Sequence, residues 1–212
     1  MKVLIICLTY GNRPHDILHS NLQRAGMPFE VTFVCEEGIA NAMNEGLYRA
    51  EGFDAVAYLA NDIVEPDNWL KIKVDAMQSV PNAGIVAIPV DGMRHSIQTQ
   101  HIIGNWLVNM DVVKNIGIFN ESMFPYGPID LDYCERAILA GFGTFYVPNV
   151  VALHQAPHVV GNEYGWDKSE LVRKYWPQHA EDVRGYQTGT KSLKIEKNEN
   201  INQNAVSSNA NY

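Results

Sequence analysis

Short apolar runs of strand length recur along this chain with helix-length segments between them, and that alternation leaves few folds other than a layered α/β domain. The runs are KVLIICLTY at Lys2–Tyr10, VTFVCE at Val31–Glu36, AVAYL at Ala55–Leu59 and GIVAIP at Gly84–Pro89. Helices are predicted between them at Asp16–Ala25, Ile39–Ala50 and Asn68–Val80, the second with Ala40, Met43, Leu47 and Ala50 on one face. HIIGNWLVNM reads as a further strand and DVVKNIG as a short helix closed by Gly117. Pro128 and Gly141 bracket a helix through IDLDYCERAILA, and GTFYVP and VVALH follow as short strands. The polar stretches VDGMRHSIQTQ and APHVVGNEYGWD read as loops, and Lys168–Trp176 as a last helix.

With 212 residues and 46% hydrophobic composition, one domain with a substantial core is expected over residues 1–187. From Thr188 the chain turns rich in Asn, Ser and Lys, so 188–212 reads as a disordered tail or linker, with room for further domains beyond it. The net charge of −8 and scattered basic residues argue against a nucleic-acid partner. No apolar run approaches the roughly 20 residues that span a bilayer, and MKVLIICLTYG ends like a strand rather than at a signal cleavage site. Cys7, Cys35 and Cys134 have no metal-knuckle spacing and read as buried thiols, which points to a reducing, cytoplasmic setting.

Two acidic elements are candidates for chemistry. Asn61-Asp62 closes the AVAYL run, and a carboxylate at the carboxyl end of a central strand suits a hard cation such as Mg²⁺ or Mn²⁺ bridging phosphate oxygens. Asn and Asp also open turns for purely local reasons, and the turn residues Glu65-Pro66-Asp67 follow. Later, Asp130, Asp132 and Glu135 gather in the first half of a helix, where its dipole favours anions, and VVALH delivers His154 at a strand end. Asp132 stands four residues before Arg136, a spacing that pairs charges on a helix.

Taken in order from Lys2 to His154, these segments resemble the GT-A fold glycosyltransferases, in particular the family-2-like enzymes that include many rhamnosyltransferases. The matching pieces are KVLIICLTYGNRP with Thr9, Tyr10 and Arg13, then GIANAMNEGLYRA with Asn44, LANDIVEPDNWL with Asp62, IGIFNESMFPYG, and IDLDYCERAILAGFGTFYVPNVVALH. The resemblance implies a Rossmann-like three-layer α/β sandwich with a mostly parallel central sheet. It also implies a metal-dependent transferase moving a hexose or deoxyhexose, rhamnose or glucose, from a UDP-sugar to a hydroxyl of a glycan or glycoprotein acceptor.

Carried over residue by residue, the resemblance places Thr9, Tyr10, Arg13, Glu36 or Glu37, Asn44 and Asn61 around the nucleotide. Asp62 and His154 would hold Mn²⁺ or Mg²⁺, Asp130 would be the catalytic base, and Trp106 and Asp132 would face the acceptor. The chain departs from the family pattern at Ala60 and Ile129, where a carboxylate or amide is usual. Those departures keep open a nucleotide-sugar-binding domain of weak or no activity. A nucleotidyltransferase is the remoter alternative, since no glycine-rich, lysine-bearing phosphate loop follows the first strand.

Overall fold

The computed structural model describes residues 1–9, 15–91, 102, 104–154 and 167–197. Six strands form the central sheet: β1 (Val3–Leu8), β2 (Glu30–Val34), β3 (Ala55–Leu59), β5 (Ala83–Ala87), β6 (Trp106–Asn109) and β7 (Gly143–Tyr146), while β4 (Ile63–Val64) and β8 (Leu153–His154) make a separate ribbon. Around them lie α1 (Asp16–Gln23), α2 (Ile39–Tyr48), α3 (Trp69–Ser79), α4 (Met110–Ile116), α5 (Ile129–Leu139) and α6 (Lys168–Thr188). The sheet order is β2-β1-β3-β6-β5-β7, with β6 alone running against the others. That is the α/β layering expected from the alternating pattern, with the mostly parallel central sheet that the resemblance implies.

Strict alternation of side chains across the sheet builds two cores. Leu4, Ile6, Val56, Tyr58, Val108 and Ile85 face α2, α4 and α5, while Val3, Ile5, Ala55, Ala57, Leu107 and Val86 face α1 and α3. β1, β3 and β5 are buried on both faces, which is why these runs read as continuously apolar, whereas the edge strand β2 exposes Val31 and Phe33. At Gly46 in α2 an added Cβ would sit 2.5 Å from the Ile6 side chain, so this glycine lets the helix lie close on β1.

Several boundaries differ from the sequence expectation for identifiable reasons. VVALH contributes only the two residues of β8, which leave the main sheet to pair with β4. The last helix runs on through Pro177 to Thr188. An internal proline costs a helix about 3 kcal/mol, but here the following turns dock on α5 and bury His179, Asp182 and Tyr186. The chain then continues as a packed strap. Ile195 bridges Gly117 and exchanges backbone hydrogen bonds with Ile116 and Ile118, and the Leu193 carbonyl accepts from Arg136. The segment from Thr188, expected as the start of a tail or linker, is thus packed where it is described, through Leu193 and Ile195; residues 198–212 lie outside the described residues. Cys7 and Cys134 are buried as expected, and burial pushes the Cys7 thiol up to about 12. Cys35 is exposed, because it lies just beyond the end of the edge strand β2.

Candidate active site

Chemistry-bearing residues converge at the edge of the sheet where β1 and β3 end and the reversed strand β6 begins. A pocket of about 180 Å³ opens there, lined by Leu8, Ile39, Met43 and Ile63 and also by Asn105, Trp106, Tyr126 and Asp130. The antiparallel insertion of β6 is what brings Asn105 and Trp106 to this edge. Asp130 enters from the first turn of α5, one residue after Ile129 begins the helix.

Asp62 follows β3 in the turn leading to β4. Because Ile63 pairs with His154 across the β4–β8 ribbon, His154 Nε2 comes to 3.4 Å from Asp62 Oδ2. Both side chains keep partial solvent access, 16% for Asp62 and 25% for His154. An oxygen and an imidazole nitrogen side by side suit a divalent cation of the Mn²⁺ type. No cluster of three or more His, Cys, Asp or Glu side chains able to hold a metal occurs among the described residues. The described residues thus offer two candidate ligands here, and a cation held by them would need its other ligands from elsewhere.

Tyr126 is a site residue that residue-type and motif reasoning passed over. Its hydroxyl is pushed up to about 12, first by burial and then by the negative charges of Asp130 and Asp62. The phenol therefore stays protonated, near both candidate carboxylates. The signal in the sequence was faint: a tyrosine four residues before Asp130 has no chemical signature of its own.

The remaining predicted residues divide sharply. Thr9 donates its hydroxyl hydrogen to the Val34 carbonyl at 2.9 Å, tying β1 to β2. Glu36 and Glu37 are exposed between β2 and α2, on the same sheet edge as the pocket. Tyr10 and Arg13 lie outside the described residues. Asn61 is buried, and its Nδ2 has no hydrogen-bond partner among the described residues.

Two assignments are corrected. Asn44 is fully buried and spends its amide on the Phe119 backbone and on Glu121 Oε1, so it fastens α2 to the segment after α4 instead of meeting a nucleotide. Asp132 is also fully buried, ion-paired to Arg136 Nε at 2.9 Å and accepting from Tyr186 at 3.1 Å, which removes it from any acceptor surface. The spacing to Arg136 had pointed to that pairing. Trp106 borders the pocket, but its ring is only 1% exposed and stacks on Phe119, so most of it is core.

No protein-family model matches the chain, and no curated protein sequence does. Solved structures do. The mannosyltransferase PcManGT from Pyrobaculum calidifontis, in complex with GDP-Man and Mn²⁺, superposes with a TM-score of 0.61 at 16% identity, over 86% of this chain and 64% of that one. The catalytic domain of Drosophila β1,4-galactosyltransferase 7, in complex with xylobiose, gives 0.54 at 14% identity, over 71% and 66%. A mutant of the latter with manganese, UDP-Gal and xylobiose gives 0.55 at 14% identity. The chain spans under two-thirds of the length of each of these structures. At such identities the likeness is one of fold: the chain has the GT-A fold of nucleotide-sugar-dependent glycosyltransferases.

Proposed function

We propose that this protein is a metal-dependent glycosyltransferase that moves a hexosyl or deoxyhexosyl group, rhamnose or glucose, from a UDP-sugar to a hydroxyl of a glycan or glycoprotein. The observation that carries this reading is the meeting of Asp62 and His154 beside a pocket that holds Asp130, at the sheet edge where α/β folds bind their ligands. The neighbours in fold bind GDP-Man or UDP-Gal with Mn²⁺, which supports both a nucleotide-sugar donor and a cation.

Asp62 and His154 would hold the cation, whose chemistry is to offset the charge of the departing diphosphate. Asp130 orients the acceptor hydroxyl and takes its proton, and the Tyr126 phenol donates a hydrogen bond at the same place. The apolar walls exclude water, limiting hydrolysis of the donor. By the resemblance, Thr9, Tyr10, Arg13 and one of Glu36 and Glu37 would contact the nucleotide. Among the described residues no helix is long and apolar enough to cross a membrane, and the notion of a cytoplasmic enzyme rests on its cysteines.

The test is a panel of UDP- and GDP-sugars incubated with the protein and Mn²⁺, scored for release of the nucleoside diphosphate with and without glycan acceptors. Turnover of a UDP-hexose or UDP-deoxyhexose supports the reading. Tight, metal-dependent binding without any turnover would favour a binding domain instead, the reading that Ala60 keeps open by leaving Asp62 as the only carboxylate in the core of its motif.

A further inference from the structure

Directly behind the metal pair lies a buried polar cluster that the reaction itself does not use. Lys73 of α3 is fully buried and Glu65, just after β4, is 1% exposed; their Nζ and Oε1 atoms are 2.7 Å apart. The same ammonium donates to the Asn105 backbone carbonyl at 2.9 Å and lies 4.7 Å from the centre of the Trp69 ring. Asn105 in turn accepts from the Ala60 backbone N–H at 2.8 Å through its side-chain oxygen. On the other side, Asn21 of α1 accepts from the Glu65 N–H at 2.9 Å and donates to the Ile63 carbonyl at 2.8 Å. The segment around Asp62 is thus tied through its backbone to Asn21 of α1 and to Asn105 just before β6, and through the Glu65 side chain to Lys73 of α3.

Stability alone does not account for the ion pair. Removing two charges from water costs several kcal/mol per ion, and apolar residues of similar volume often do as well or better. Burial lowers the Lys73 pKa even though Glu65 opposes the shift. Glu65 Oε2 and Asn105 Nδ2 are buried with no hydrogen-bond partner among the described residues, a further cost. What the pair supplies is direction: a charge-assisted link between α3, the segment after β4 and the residue that begins the pocket wall.

We propose that Lys73, Glu65 and Asn105 are positioning residues, a clamp that fixes the Ala60–Glu65 segment and so holds Asp62 at His154 and the adjoining pocket. The clamp's consequence for ligands rests on the transferase reading above, whereas its grip on the segment does not. Neither Lys73 nor Glu65 touches substrate; both act through the backbone that carries Asp62.

The decisive variant is the double substitution Glu65→Leu with Lys73→Met, which replaces the pair by apolar side chains of similar size. Melting within a few degrees of the wild type is expected, together with at least tenfold faster amide hydrogen exchange at Ala60 and Glu65 and at least tenfold weaker Mn²⁺-dependent UDP binding. Unchanged exchange in this stably folded variant would overturn the clamp, and faster exchange with unchanged UDP affinity would overturn its positioning role. Should the double variant not fold, Asn105→Ala leaves the ion pair in place and removes only the Ala60 tie; wild-type exchange at Ala60 in that variant also overturns the proposal. If the wild-type protein binds neither Mn²⁺ nor UDP, the transferase reading fails, and the exchange measurements still decide whether the clamp holds the segment.

Discussion

His154 meets Asp62 because the two-residue strands β4 and β8 pair antiparallel with Ile63 opposite His154, so that the imidazole Nε2 stands 3.4 Å from the carboxylate Oδ2. Each residue sits at the end of a separate acidic or apolar element in the sequence. The ribbon that joins them leaves the main sheet to do so. Its backbone register, more than any local motif, gives the site its two adjacent metal-type donors.

Asp62→Ala is expected to abolish Mn²⁺-dependent binding of the nucleotide, and His154→Ala to weaken it at least tenfold. Both should melt close to the wild type, since neither side chain is fully buried. Calorimetric titration with UDP in Mn²⁺ and in excess EDTA measures the difference. Full donor turnover in EDTA would sink the metal assignment.

The buried Asp132 carries a different expectation. Arg136 satisfies it and also donates to the Ile116 and Ile118 carbonyls at 2.8 and 3.0 Å, so the pair locks α5 to the end of α4. Asp132→Asn leaves the guanidinium buried and under-compensated, and should cost about 3–5 kcal/mol in chemical denaturation. An exposed helix-start anion would cost only about 0.3–1 kcal/mol, so a loss in that smaller range would contradict the enclosed geometry.

The strap after α6 gives a third expectation. Ending the chain at Lys197 should leave the melting temperature unchanged, as the composition of 198–212 suggests. Ending it at Thr188 removes the Ile195 bridge, the Leu193 carbonyl and the Lys191–Asp182 ion pair. That truncation should lower the melting temperature, at about 2–4 °C for each kcal/mol lost. Equal melting of the two truncated proteins would show that the strap contributes nothing.

Much of the fold was legible in the sequence, because strands buried on both faces announce themselves as apolar runs and each such run here is bounded by turn residues. β3 falls at Ala55–Leu59 as expected, and α5 begins at Ile129 beside Pro128. What periodicity does not carry is where a helix survives its own proline, since docking on α5 holds the helix beyond Pro177. Nor does it carry which polar residues are buried. Asn44 and Asp132 have the residue types of a binding site, but tertiary packing turned both inward. Tyr126, of unremarkable type, was brought beside the two carboxylates, and the Lys73–Glu65 clamp depended on three elements meeting that no single segment announces.

Asp130 and Tyr126 together decide whether this edge performs transfer. If Asp130 takes the acceptor proton, Asp130→Asn should keep the fold and the UDP-sugar affinity while lowering transfer by roughly 10²-fold or more, the usual scale for a general base. The amide keeps the size and the bond to the Leu131 N–H, which Asp130 Oδ1 accepts at 3.0 Å, but it cannot accept a proton. Tyr126 has its hydroxyl held at about 12 against an ordinary 10.0, so it remains a neutral donor at every pH at which an assay would be run. Its contribution is therefore a hydrogen bond and not a titration. Tyr126→Phe should reduce the transfer rate without displacing the alkaline limb of the pH profile below pH 10, because the group removed does not ionise there. Initial rates of both variants between pH 6 and pH 10, with donor affinity measured alongside, separate the roles: wild-type transfer by Asp130→Asn would remove it as the base, and wild-type transfer by Tyr126→Phe would show that the phenol's hydrogen bond contributes nothing.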